Sequence, residues 1–190
     1  MTKKANISPE DPGIPEDFVP LDCPWPIVLG FDPGTHRAGW GALLMADKGP
    51  RLLGCGVLEA SAKLSPPERL GRMSVGLDLL LDRLRPSTVV VERAFAFRNV
   101  QSALRIAEAR GLALAGASRR GMEVIEITPA AAKKAVSGNG AASKEQVAAM
   151  ISRRLSIDVD GIGEDATDAL ALALAYCERA RFEAVLRRTR

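Results

Sequence analysis

The stretch Gly163–Leu174, GEDATDALALAL, admits few placements in a folded chain. Its small and apolar residues suit a buried helix, yet Asp165 and Asp168 stand three apart with Glu164 beside them. Side chains three apart on a helix share a face, so two carboxylates project together from a segment otherwise fit for a core. Like charges that close repel unless something positive lies between them. Solvent, a basic side chain or a metal ion must therefore meet that helix face.

The rest of the chain supplies what such a helix can pack on. IVLGFD, ending at Asp32, reads as a buried strand, and Pro33-Gly34 then turns the chain. GWGALLMA and RLLGCGVLEA read as two more strands joined by a turn at Asp47-Lys48-Gly49-Pro50. Apolar residues at helical spacing from Pro66 to Leu84 predict a helix, with both prolines suited to its first turn. TVVVE, Thr88 to Glu92, is a short β-branched strand. A helix from about Val100 to Arg119, a strand MEVIEI and a short helix from Pro129 to Val136 follow. Ser143 caps a further helix ending near Leu155, with Gln146 at the capping-box position. Three early strands followed by alternating helices and strands indicate an α/β fold with a mixed five-stranded sheet.

At 190 residues the chain holds one domain with a real core and has little room for a second. We expect a flexible extension over residues 1–25, rich in Pro, Asp and Glu, a folded domain over 26–180 and a basic tail over 181–190. No apolar run approaches the roughly 20 residues that span a bilayer, and the first residues lack an apolar signal core. Three cysteines without metal spacing suit reduced thiols. These features predict a cytoplasmic protein with no membrane partner. The net charge of +3 hides a block: residues 93–157 carry a net of +7, whereas 1–24 and 158–190 are acidic. Such a block attracts phosphates, although solvated helix faces would also account for it.

Asp32 and Glu92 each end a predicted strand. If those strands are parallel neighbours, about 4.8 Å apart, both carboxylates meet at the sheet edge where α/β folds hold ligands. The final helix could bring Asp165 and Asp168 to them. Divalent cations would relieve the repulsion, and a pair of Mg²⁺ ions about 4 Å apart activates water against a phosphodiester. Read singly, each acid has a plainer account. Asp32 suits a turn before Pro-Gly, Glu92 the first solvated position, and the helix pair the positive end of a helix dipole. Spacing alone does not gather the four.

Three segments resemble RuvC-type Holliday junction resolvases: Val28 to Thr35 with Gly39 and Gly41, VVVERAFAFRNVQSALRIAEARG from Val89 to Gly111, and EDATDALALAL. They occur in family order and the similarity runs from about Ile27 to Arg179. The resemblance implies an RNase H-like fold in which the first and fourth strands are adjacent and parallel with the last helix beside them. It further implies a homodimer that cuts four-way DNA junctions by paired symmetric nicks, leaving 5′-phosphate and 3′-hydroxyl ends, in recombination and repair. By the same resemblance, Asp32, Glu92, Asp165 and Asp168 are catalytic and hold two Mg²⁺ ions per site, with Mn²⁺ able to substitute. Lys133 and Lys144 match catalytic lysines near the cleaved strand. Phe95 matches an aromatic used at the opened junction centre, and Arg98, Asn99 and Lys134 join Lys133 and Lys144 as DNA contacts. A RuvAB branch-migration motor is the implied partner.

The extension has no counterpart in the family core, and Pro129 with Ala130 to Ala132 replaces a more polar, β-branched run. His36 reads as a solvent-facing or phosphate-side residue rather than a ligand. FDPGT also resembles the phosphate loop of actin/hexokinase-type ATPases, whose two-domain clamp 190 residues cannot supply. A non-catalytic module that binds branched DNA is the other alternative, and the intact carboxylate set argues against it.

Overall fold

The strand Ile27–Asp32 must be buried on both faces, because IVLGF offers no polar side for water. The computed structural model, which describes residues 6–7, 23–93 and 100–188, puts it inside a mixed sheet. In chain order the elements are β1 (Asn6–Ile7), β2 (Ile27–Asp32), β3 (Arg37–Ala46), β4 (Gly49–Glu59), α1 (Pro66–Leu84), β5 (Thr88–Glu92), α2 (Val100–Arg119), β6 (Glu123–Ile127), α3 (Pro129–Ser137), α4 (Lys144–Leu155) and α5 (Glu164–Arg188). The spatial strand order is β1-β4-β3-β2-β5-β6. β2, β3 and β4 pair antiparallel, whereas β5 lies parallel to β2 and β6 parallel to β5.

The five expected strands are present, and Asn6–Ile7 adds a sixth at the edge, parallel to β4 at Val57 and Leu58. Two further details differ from the sequence reading. The β3–β4 hairpin turns at Asp47-Lys48 alone, with Gly49 and Pro50 already paired to Ala46 and Met45. Proline is tolerated there because, among the described residues, β1 pairs only with Val57 and Leu58 and nothing pairs with the outer side of Pro50. At the other end of the chain, α5 continues to Arg188, so residues 181–188 prolong a helix where a basic tail was expected.

Side chains alternate across a strand, and this sorts the two cores. Ile27, Leu29 and Phe31 face one layer with Met73, Leu77 and Leu81 of α1 and Ala113 and Ala117 of α2. Val28 and Val90 face the other, with α3, α4 and the Ala/Leu run of α5. The antiparallel register pairs Val28 with Leu43, Gly30 with Gly41 and Asp32 with Gly39, so all six point to the α5 side. There α5 lies almost in contact with the sheet backbone. A Cβ on Gly30 would stand 2.0 Å from the Ala169 carbonyl oxygen, and one on Gly39 1.9 Å from that of Asp165. Any side chain at either position pushes the helix off.

Gly30→Ala is therefore expected to destabilise the fold by about 3 kcal/mol, the upper end for overpacked cores, as measured by urea unfolding. Gly71, exposed in the middle of α1, has nothing within 4 Å of an added Cβ. There the same change is expected to stabilise by about 1 kcal/mol through helix propensity.

Candidate active site

The alternation that seats α5 also aims the acids. Asp32 follows Val28 and Gly30 in parity, and Glu92 follows Val90, so both carboxylates emerge on the α5 side where β2 and β5 end. Phe31 pairs with Val91, which places Asp32 and Glu92 at the same level of adjacent parallel strands. From above, the first turn of α5 brings Asp165 over Gly39, the cross-strand partner of Asp32. Asp168 is one turn further and shares that face. All four carboxylates are half-buried at one end of the sheet.

Their charges interact strongly. Burial, followed by the fields of Glu92, Asp168 and Asp165, pushes the Asp32 carboxyl up to about 8. Asp32 therefore retains its proton near neutral pH and donates it to Glu92. Glu92 is itself raised, mainly by burial and also by Asp168, against the opposing effect of that hydrogen bond. Burial raises Asp168 too, although Lys144 and Lys133 both pull it down.

Three cations stand against the cluster. Lys144, first residue of α4 after the Ser143 cap, donates to Glu164 at 2.7 Å and lies 3.6 Å from Asp168. Its ammonium is stabilised chiefly by the Glu164 bond. Lys133 on α3 acts on Asp168 through its charge. Lys134, a 100° step further round α3, is exposed. The other cation is Arg37. Its Nε donates to Asp165 Oδ2 at 2.8 Å while Nη1 pairs with Glu59, directly across the β3–β4 ladder. Arg37 and Glu59 were not singled out from the sequence. Their signal was parity, since Arg37 alternates with Gly39 and Gly41 and so shares their face. Phe95, Arg98 and Asn99 lie outside the described residues.

An all-oxygen donor set whose members repel one another has the chemistry a hard divalent cation requires. In this arrangement no three His, Cys, Asp or Glu side chains among the described residues converge closely enough to hold one ion. Arg37 engages Asp165, Lys144 engages Asp168, and a proton joins Asp32 to Glu92. A divalent ion would take over the work of the proton and both cations, and it would release that proton on binding. The residues fit the ion, at the cost of rearranging two surface ion pairs that each contribute about 0–1 kcal/mol.

Comparison with known proteins reaches the same region. A family model described as "Crossover junction endodeoxyribonuclease RuvC" matches residues 28–176. A crossover junction endodeoxyribonuclease RuvC from Chlorobaculum parvum is 41% identical over 155 residues, 82% of either chain. A solved structure of Thermus thermophilus RuvC aligns with a TM-score of 0.75 at 34% identity, over 83% of this chain and 96% of that one. Another, of the T. thermophilus protein in complex with Holliday junction substrate, aligns at 0.74 and 30% identity, over 82% and 96%.

The raised Asp32 carboxyl sets a pH dependence. A folded-state value above the ordinary 3.8 means that the stability held at low pH is lost as pH climbs to about 8. In chelator, the parent is expected to lose roughly 2 kcal/mol or more across that window, and Asp32→Asn to lose clearly less, keeping only the part due to the raised Glu92 and Asp168. Urea unfolding from pH 5 to 9 measures both.

Proposed function

The chain belongs to the RuvC family of crossover junction endodeoxyribonucleases, and from that membership we propose that it resolves four-way DNA junctions by two symmetric nicks. The observation that carries this reading is the gathering of Asp32, Glu92, Asp165 and Asp168 at one end of the sheet, strong enough to hold a proton on Asp32 near neutral pH. A merely structural edge would not retain four mutually repelling acids in partial burial. Asp32, Glu92, Asp165 and Asp168 would hold Mg²⁺, two ions to a site with Mn²⁺ able to replace them, supplying activation of water and stabilisation of the departing 3′ oxygen.

The chain's own residues do the rest. Lys133 and Lys144 set ammonium groups beside Asp168, where they neutralise the phosphate of the strand being cut. Lys134, Arg98 and Asn99 extend that contact along the backbone, and Phe95 stacks on unpaired bases at the junction centre. Arg37, tied to Glu59, holds Asp165 on the sheet side of its helix.

A four-way junction has two-fold symmetry, which a C2 dimer matches with two sites. Val100 and Leu104, one turn apart at the start of α2, are 71% and 59% exposed, and we assign this apolar surface to a second copy of the chain. Among the described residues no helix is long and apolar enough to cross a membrane. Work in the cytoplasm on recombination intermediates, alongside a RuvAB branch-migration motor, completes the reading.

Incubation with a synthetic four-way junction, with and without Mg²⁺, tests it once products are mapped on every strand. Paired nicks at symmetric positions, ending in 5′-phosphate and 3′-hydroxyl, are expected with the metal alone. Asp168→Asn is expected to bind the junction within about threefold of the parent and to cut it roughly a hundred- to a thousandfold more slowly. Nicking at the parental rate would remove Asp168 from the site.

A further inference from the structure

A half-open cavity of about 860 Å³ lies at the other end of the sheet, between Trp25, the β3–β4 turn, the last turn of α4 and the C-terminal half of α5. Arg181, which lines it, follows Asp165 by sixteen residues on one helix, a separation of roughly 24 Å at 1.5 Å per residue. The cavity is thus remote from the carboxylates, and the nuclease reading gives it no task.

Its walls combine two kinds of group. The half-buried indole of Trp25 supplies a flat apolar surface. Lys48 and Arg51 from the turn, Arg154 from α4 and Arg181 from α5 supply positive charge. Of the two acids present, Glu178 is already engaged by Arg154 at 3.1 Å. That leaves Lys48, Arg51 and Arg181 facing Asp47, and none of the three cations is in an ion pair among the described residues. The Arg181 guanidinium lies over Gly49, 3.3 Å from where a Cβ would stand, so the missing side chain lets it rest against the turn. Three cations facing a single acid among the described residues are stabilised by a bound anion, and arginine pairs well with phosphate oxygens. An indole beside them suits a planar base. An acidic peptide would answer the charges and leave the indole without a matching group.

We propose that this cavity binds a phosphorylated nucleoside, with the base on Trp25 and the phosphate on Arg51, Lys48 and Arg181. The same chemistry could come from a single-stranded stretch of nucleic acid or from a free nucleotide. Its size falls within the range of small-molecule sites, and the site acts independently of cutting.

The protein carries its own probe. Of its two tryptophans, Trp40 is 2% exposed, which leaves Trp25 as the one a ligand can reach. The full chain in chelator is titrated with oligothymidylate, thymidine monophosphate and, as a third arm, an oligoglutamate peptide, following tryptophan emission. Saturable quenching by the oligonucleotide is expected, absent in Trp25→Phe. It should weaken at least tenfold in Arg51→Ala/Arg181→Ala, with the salt slope reduced by about 1.4 for two lost phosphate contacts. Quenching of equal strength by the mononucleotide would identify the free nucleotide as the source. Both arginines are exposed and distant from the carboxylates, so Mg²⁺-dependent junction cutting by the double variant should match the parent, which also shows that it folds. Quenching by the peptide alone, by nothing, or equally in the double variant overturns the proposal. Loss of junction cutting in the parent would instead count against the nuclease reading and leave these titrations intact.

Discussion

The close seating of α5 on a floor without side chains is the constraint from which the site follows. Gly30 and Gly41 face each other across β2 and β3, and Gly39 faces Asp32. With no Cβ at these points, the helix backbone approaches until carbonyl oxygens of Asp165 and Ala169 touch the sheet. Alanine on the facing side of the helix completes the fit, since Ala166, Ala169 and Ala173 are fully buried. Interiors are packed too tightly to absorb a displaced helix, so the distance between the strand acids and the helix acids is set by the glycines.

That closeness makes the electrostatics severe. Four half-buried carboxylates cannot all be ionised without compensation, and three different devices supply it. Asp32 keeps its proton, Arg37 reaches Asp165 from the neighbouring strand, and Lys144 reaches Asp168 from the start of α4. Each places a positive charge against an acid that partial burial would otherwise leave uncompensated.

Charge is distributed to match. The end of the sheet where β2 and β5 finish collects acids, with lysines on α3 and α4 beside them, whereas the hairpin end collects arginines and an indole around a cavity. One helix thus spans two chemically different ends, from acids at Glu164 to Asp168 to Arg181 at the cavity.

Much of this was legible in the residues alone. β-branched runs, Pro66 at a helix start, and the Ser143–Gln146 capping box marked elements the structure contains, because such signals act within a few residues. The same is true of the acids as types of residue, since their positions at strand ends and in a first helical turn are visible locally. Tertiary structure alone decided what those acids meet. Arg37 and Asp165 are 128 residues apart, and their pairing exists only because strand parity points one at the helix that carries the other. Periodicity is a property of neighbours in the chain, whereas charge acts between neighbours in space, and the fold is what converts the first into the second.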